Sequence, residues 1–293
     1  MVALRSSPSR PGFLAIVLVV FFLACYYLAG NSVASAVSAD VPRTEERIYL
    51  MQTLSDTVVH SSDSDRVLVI MAKAPRLGGV KTRLVPSLSP EAVTDLYCCL
   101  LDDTLTLARS LGNVEIAIMC PDSDVDQIRQ LAGRAVSVLA QKGEGLAAGL
   151  TSVFAHFSAG QPRRTIAFNS DSPHLPRSVL RGAFETLAVH DVVVGPTHDG
   201  GYYLVGAKTS HPTLFANDGM GTSSALERLL TRARALELSV DLADPFYDID
   251  VARDLTRLAE ELRLAPAKAP RTARWLQQWE FAAAQSRLDT GEL

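Results

Sequence analysis

Four cysteines in 293 residues, none in a C-x-x-C or other metal-binding spacing, argue against both a disulfide scaffold and a zinc site. Cys25 falls in an apolar run, Cys98 and Cys99 are adjacent in a helical pattern, and Cys120 closes a strand pattern, so buried free thiols are expected. Positive charge is scarce as well. Lys+Arg 28 against Asp+Glu 32 leaves a net charge of −4, without the basic field that gathers nucleic acid phosphates, and no nucleic acid partner is expected. The G-x-x-x-x-G-K-[ST] phosphate loop and the G-x-S-x-G nucleophile elbow are both missing, and His60, His156, His190 and His211 share no ligand spacing. The run Gly143-Glu144-Gly145-Leu146-Ala147-Ala148-Gly149 has its third glycine one residue late for a dinucleotide fingerprint, which removes an NAD site. With 18 Gly and 15 Pro the chain is neither collagen-like nor low-complexity.

What is present divides the chain. From Pro11 to Ala39 there is no charged residue, and Phe13 to Leu28 is almost unbroken apolar behind Arg5 and Arg10. Residues 1–39 are therefore expected to be a membrane segment, favoured as a single-pass N-terminal anchor with the folded domain on the far side. The alternatives are a signal cleaved after the small residues of 34–39, or a cytoplasmic protein if translation starts at Met51. Residues 40–65, rich in Ser and Asp and without periodicity, are expected to be a linker. Residues 66–265 are expected to form one domain, and 266–293 a helical tail in which Trp275 and Trp279 at i, i+4 pack back on it.

Within 66–265 the apolar pattern alternates between short continuous runs and helical spacing. Val67–Met71 reads as a doubly covered strand. Ser89-Pro90-Glu91 opens a helix that stops near Gly112. Strands follow at 114–119, 136–140, 165–168, 192–195, 202–205 and 238–242, with helices at 125–131, 146–157, 176–189, 223–234 and 251–262. The fold class is α/β, with a mostly parallel sheet flanked by helices and right-handed crossovers.

Ligands of such sheets gather at the carboxyl ends of the strands, and four strand-end loops carry chemistry. The stretch 73–83 holds Lys73, Arg76, Lys81 and Arg83 with Gly78 and Gly79, a composition that wraps a polyphosphate. Asn169-Ser170-Asp171-Ser172-Pro173 places an acid at a strand end, where it can hold a divalent cation or cap a helix. Asp199-Gly200-Gly201-Tyr202 joins two strands, either as a simple hairpin turn or as an acceptor-facing carboxylate. Asp248-Ile249-Asp250 precedes a helix as a second acidic pair, either capping that helix or completing the metal site.

The ordered set resembles a known family. Met71-Ala72-Lys73-Ala74-Pro75 with Val80-Lys81-Thr82-Arg83-Leu84, Asp171-Ser172-Pro173 with Leu175-Pro176, Gly195-Pro196 with Asp199 to Gly206, Gly221-Thr222, and Asp248-Ile249-Asp250 with Asp254-Leu255 are similar to motifs of the DUF2064 transferases. These are also called radical-SAM/selenodomain-associated or arsenosugar-type glycosyltransferases, and the resemblance spans about 67–262. It implies the nucleotide-diphospho-sugar transferase (GT-A-like) fold and metal-dependent transfer from a nucleotide-activated donor to a small-molecule or glycan acceptor, with Mg²⁺ or Mn²⁺ as cofactor. Glycosyl transfer is favoured. Nucleotidyl transfer and a non-catalytic membrane-tethered nucleotide-binding protein are the alternatives.

The residues matching those motifs then take roles as expectations. Lys73, Arg76, Lys81 and Arg83 would contact phosphates. Gly145 and Leu146, similar to positions in the related phospholactate guanylyltransferases, would contact the nucleotide. Asp171, Asp250 and Asp248 would hold the metal. Asp199 with Asp171 would be catalytic, and Gly200, Gly201, Tyr202 and Thr222 would face donor or acceptor. Two departures stand out. The family's usual Gly-Thr-Asp is Asn169-Ser170-Asp171 here, and its Gly-Asp-Leu-Gly-Glu-Arg-Met run is replaced by Gly145-Leu146-Ala147-Ala148-Gly149-Leu150, which lacks an arginine expected near the donor.

Overall fold

The hexapeptide RVLVIM forms strand β1 (Arg66–Met71), and its four central residues are buried on both faces, as an uninterrupted run of β-branched and apolar side chains requires. A computed structural model describes this strand and the rest of residues 64–216 and 219–279. From β1 the chain alternates through α1 (Pro90–Arg109), β2 (Glu115–Cys120), α2 (Val125–Ala132), β3 (Ser137–Ala140), α3 (Gly145–Phe157), β4 (Arg164–Asn169) and α4 (Arg177–Val189). It continues with β5 (Val192–Pro196), β6 (Tyr202–Ala207), α5 (Ala225–Ala235), β7 (Val240–Leu242) and α6 (Ala252–Leu264). A last helix begins at residue 270.

The strands form one sheet in the order β3-β2-β1-β4-β6-β5-β7. β1 lies parallel to β2 and β4, β2 to β3, and β5 to β7, while β6 runs antiparallel to both β4 and β5. One face packs Leu68, Ile70 and Phe168 against Leu101 and Leu105 of α1, Ile128 of α2 and Leu180 and Phe184 of α4. The other packs Val67, Val69 and Val205 against Leu150 and Phe154 of α3 and Leu229 of α5. The α/β expectation therefore holds in both its parts, a mostly parallel sheet and helices on both faces.

A third cluster joins parts distant in sequence. Leu84, at the end of the cationic loop, packs with Leu96 and Leu100 of α1, Ile249, Leu255 and Leu258 of α6, and Ala273 and Leu276 of the last helix. Trp275 and Trp279 stack with ring centroids 6.1 Å apart and pack on this cluster. The buried Asp103 accepts hydrogen bonds from the N–H groups of Arg271 (3.2 Å) and Thr272 (2.8 Å), satisfying otherwise unpaired donors at the start of that helix. Cys98, Cys99 and Cys120 are free thiols, and burial pushes Cys99 and Cys120 up to about 11.

The membrane expectation is corrected. Among the described residues no helix is long and apolar enough to cross a membrane. The longest, α1, carries Glu91, Asp95, Asp102, Asp103 and Arg109 and buries one face only, so it is an amphipathic packing helix and not a span. The apolar run at 11–39, the stretch 40–63 with Met51, and Cys25 lie outside the described residues.

Candidate functional site

Strand order reverses between β1 and β4: successive crossovers carry the chain outward to β2 and β3, and β4 then returns to the opposite side of β1. Loops leaving the carboxyl ends of such neighbours diverge and open a crevice between them. A cleft of about 670 Å³ lies there, lined by the loop after β1 from Ala72 to Arg83, by Pro121, Ser123 and Asp124 after β2, by Gln141 and Glu144 after β3, by Gly145 and Leu146 opening α3, and by Ser170, Asp171 and Asp250. All the residues expected to bind phosphate or nucleotide line it: Lys73, Arg76, Lys81, Arg83, Gly145 and Leu146.

The acidic floor is assembled by backbone and packing together. The N–H of Ile249 donates to the carbonyl of Asp171 at 3.1 Å, and the fully buried Ile249 side chain anchors the segment between Asp248 and Asp250. Neither acid caps a helix. Helix α4 begins behind Pro176 with no side-chain cap, and α6 begins behind Val251, where the Asp254 carboxylate accepts from the N–H groups of Asp250 (3.1 Å) and Val251 (2.9 Å). The carboxylates of Asp171 and Asp250 therefore serve the cleft and not a helix end, that of Asp171 also accepting from the Ser170 hydroxyl at 3.3 Å.

Lys81 meets them there. Its backbone is left-handed (φ 47°, ψ 39°) ahead of a short 3₁₀ turn, Thr82–Leu84, whose Leu84 is sealed in the core. The ammonium turns inward, with its side chain only 6% exposed, and stands 2.7 Å from Asp171 and 3.7 Å from Asp250. Arg83, mostly exposed at the rim, pairs with the other oxygen of Asp250. Asp248 is held up at about 6, chiefly by burial; Lys81 opposes this, while Asp171 and Asp199 add to it.

Two residues that sequence reasoning passed over hold the cationic loop in place. The buried Asp124 accepts from the N–H of Ala74 at 2.8 Å and pairs with Arg76 at 2.5 Å. The Tyr97 hydroxyl, read in sequence as one more apolar position of α1, contacts the Lys73 backbone N–H and carbonyl, each at 3.1 Å, and the Ser170 hydroxyl at 3.2 Å. Burial pushes this phenol up. Asp124 had a signal, since Pro121–Asp124 is also a strand-end loop; Tyr97 had none, because its spacing is that of a core residue. Gln141 is likewise tied down, its amide donating to the carbonyl of Gly143 at 2.8 Å.

The residues expected to face donor or acceptor sit elsewhere. Asp199, Gly200, Gly201, Tyr202, Thr222 and Asp248 are not among those lining the cleft. β5 and β6 form an antiparallel hairpin, so Asp199-Gly200 is a turn: Oδ1 of Asp199 accepts from the Thr197 hydroxyl at 2.5 Å and the Gly201 N–H at 3.2 Å. These bonds hold its carboxyl below the usual range, the Thr197 bond most of all. Gly200 has φ +89°, and a Cβ there would lie 1.9 Å from the Ser223 carbonyl, which is why the turn needs glycine. The Tyr202 hydroxyl is buried without a partner among the described residues, and the Thr222 hydroxyl bonds the Gly219 carbonyl at 2.8 Å.

A divalent cation can be tested against this donor set. Among the described residues no group of three or more His, Cys, Asp or Glu converges to hold a metal ion. Asp171 and Asp250 alone converge, on the point occupied by the Lys81 ammonium. One or two carboxylates completed by substrate phosphates is the ordinary way Mg²⁺ is held. The pair fits Mg²⁺ or Mn²⁺ bound jointly with a phosphate substrate and does not fit a cation caged by protein alone.

Comparison with known proteins gives the same architecture. No functionally curated protein matches the chain significantly. Among solved structures, a candidate nucleotide-diphospho-sugar transferase from Desulfovibrio desulfuricans G20 is 25% identical, with a TM-score of 0.68 over 76% of this chain and 98% of that one. Rv0371c from Mycobacterium tuberculosis H37Rv follows at 20% identity and a TM-score of 0.45, over 67% of this chain and 99% of that one. The inositol-1-phosphate CTP transferase from T. maritima is 14% identical with a TM-score of 0.48, over 68% and 95%. Residues 104–222 match the family model DUF2064, "Uncharacterized protein conserved in bacteria". The chain is thus similar to DUF2064 over residues 104–222, and its fold is that of the nucleotide-diphospho-sugar transferases (GT-A-like).

Proposed function

We propose that the chain is a transferase that takes a nucleotide-activated donor into the cleft between β1 and β4, and that its reaction is glycosyl transfer from a nucleotide sugar. One observation carries the reading: the cleft sets Lys73, Arg76 and Arg83 around a floor of Asp171 and Asp250 at the switch point of a parallel sheet. The fold likeness to the Desulfovibrio candidate transferase supports it.

In this reading Lys73, Arg76, Lys81 and Arg83 hold the phosphates, and Gly145 and Leu146 flank the nucleoside where the exposed Leu146 offers an apolar surface. Asp171 and Asp250, with Asp248 behind them, hold Mg²⁺ or Mn²⁺ together with the donor. When bound, the ion supplies charge neutralisation for the departing diphosphate. The cations of the β1 loop, which line the same cleft, would add to that stabilisation. Asp199 commits Oδ1 to its turn, and its other oxygen is assigned to an acceptor hydroxyl, beside Gly200, Gly201, Tyr202 and Thr222.

The test is mass-spectrometric analysis of the full chain incubated with nucleotide sugars and nucleoside triphosphates plus Mg²⁺ or Mn²⁺. Release of a nucleoside diphosphate with a glycosylated product is the expected result. Release of pyrophosphate assigns nucleotidyl transfer instead, and a chain that neither binds nor turns over any nucleotide overturns the reading.

A further inference from the structure

Lys81 stands where the metal would stand. Its ammonium is 2.7 Å from Asp171 and 3.7 Å from Asp250, so it uses the same carboxylate oxygens that a divalent ion would need. Both cations cannot sit there, since an ion at carboxylate-bonding distance of about 2.1 Å would meet the ammonium head-on. Lys81 is also fixed from behind. The left-handed backbone at Lys81 and the buried Leu84 deliver the side chain into the floor from a rigid base, and only its flexible stem is free to redirect the charge. Among the described residues Asp171 and Asp250 are the carboxylates that pair with that ammonium, and no group of three converges there, so the floor offers a metal few ligands in exchange for displacing it.

We infer that Lys81 is the resident counter-cation of this floor, keeping Asp171 and Asp250 closed to a divalent ion until nucleotide phosphates take over its ammonium, so that metal enters with the nucleotide and not before. The inference rests on the proposal that nucleotide phosphates occupy the cleft. Phosphate does two things at once: it gives the ammonium a new anionic partner, and it supplies the oxygens that a two-carboxylate site lacks.

The test is Mn²⁺ binding to the full chain without nucleotide, followed by the electron paramagnetic resonance of free Mn²⁺ and by thermal unfolding. Wild type should bind Mn²⁺ weakly and melt at the same temperature with and without it. Lys81→Met should bind at least about tenfold more tightly and melt higher when Mn²⁺ is added, because the competing charge is gone and Asp171 is left without a cation, Arg83 still pairing with Asp250. Adding Asp171→Asn to Lys81→Met should remove the gain. Wild type that binds Mn²⁺ as tightly as Lys81→Met, or a gain that survives Asp171→Asn, overturns the inference. Should Lys81→Met fail to fold, calorimetry on wild type decides: the Mn²⁺–pyrophosphate complex should bind at least about tenfold more tightly than Mn²⁺ alone, and equal binding of both overturns it. Binding of nucleoside diphosphates, with and without Mn²⁺, is measured separately. Its complete absence sinks the functional reading, whereas tight binding of Mn²⁺ alone to wild type sinks only the role given to Lys81.

Discussion

The backbone carbonyl of Asp171 accepts the N–H of Ile249 at 3.1 Å, and this bond sews the loop after β4 to the segment entering α6. It is what sets Asp171 and Asp250, remote in sequence, on either side of one ammonium. Ile249 contributes nothing to the cleft surface. Its role is to be fully buried between two acids that are not, so that the packing of the third core cluster fixes where the charges stand.

Ile249→Ala is therefore expected to act on both stability and turnover. Removing three buried carbons from a site with 0% exposure costs about 2–4 kcal/mol. Turnover should fall further than nucleotide affinity, since Asp250 moves while the β1 loop stays. Urea denaturation and separate kcat and KM measurements check this; equal loss of kcat and affinity would show that the segment carries no site geometry.

The cations of the β1 loop should separate into two kinds. Arg76 neutralises the buried Asp124, so Arg76→Ala leaves an uncompensated interior charge and is expected to lower stability as well as affinity. Lys73 forms no ion pair among the described residues, so Lys73→Ala should leave stability near wild type and weaken nucleotide binding about ten- to hundredfold, the usual worth of a charge-assisted hydrogen bond. Calorimetric titration with nucleoside diphosphates, beside denaturation curves, distinguishes them.

Much of this was legible in the sequence. Every strand and helix was, because continuous apolar runs such as RVLVIM and capped amphipathic stretches such as Ser89-Pro90-Glu91 mark their own periods. The gathering of loops at one sheet edge followed from alternation alone. What was not legible is direction. The loop 73–83 reads as four equivalent cations, whereas the left-handed turn at Lys81 buries one of them and leaves Arg83 outside. Likewise Tyr97 has the spacing of a core residue and is one, and only its hydroxyl, reaching the Lys73 backbone, ties it to the site.

Tyr97→Phe tests that tie. The ring stays packed, but the Lys73 N–H and carbonyl and the Ser170 hydroxyl lose a buried partner, at a cost of about 1–3 kcal/mol. Nucleotide affinity should fall with it, through a loosened β1 loop, and amide hydrogen exchange at residues 72–76 should quicken. Unchanged exchange there would confine Tyr97 to the core.

Among the groups that acid acts on, two buried ones have opposite signs. His174 is fully buried against Phe246 and Tyr247 and is lowered to about 4, chiefly by burial. Its unfolded form takes up a proton first, so stability is lost as pH falls from about 6.5 towards 4, by up to about 3 kcal/mol. Asp248, raised to about 6, holds its proton more tightly when folded, so it restores stability as pH falls from about 6 towards 4. His174→Phe should remove the loss and leave the gain, making the variant more stable relative to wild type at pH 4.5 than at pH 8. Urea unfolding at both values checks it, and a pH-independent difference would show that His174 does not titrate in the unfolding transition.

Asp199 poses the question of turn against chemistry most directly. Its Oδ1 closes the hairpin through the Thr197 hydroxyl and the Gly201 N–H, and Gly200 is locked beneath the Ser223 carbonyl. Asn keeps an acceptor oxygen in the same place, so Asp199→Asn should hold the turn and stay within about 0.5 kcal/mol of wild-type stability, as substitutions that preserve their contacts do. Asp199→Ala, with no acceptor, should lose about 1–2 kcal/mol. If the second carboxylate oxygen meets an acceptor hydroxyl, Asp199→Asn lowers turnover at least about tenfold while nucleotide affinity is kept, because a charged acceptor is worth roughly twice a neutral one. Turnover of Asp199→Asn equal to wild type, with Asp199→Ala alone impaired, would assign the residue to the turn.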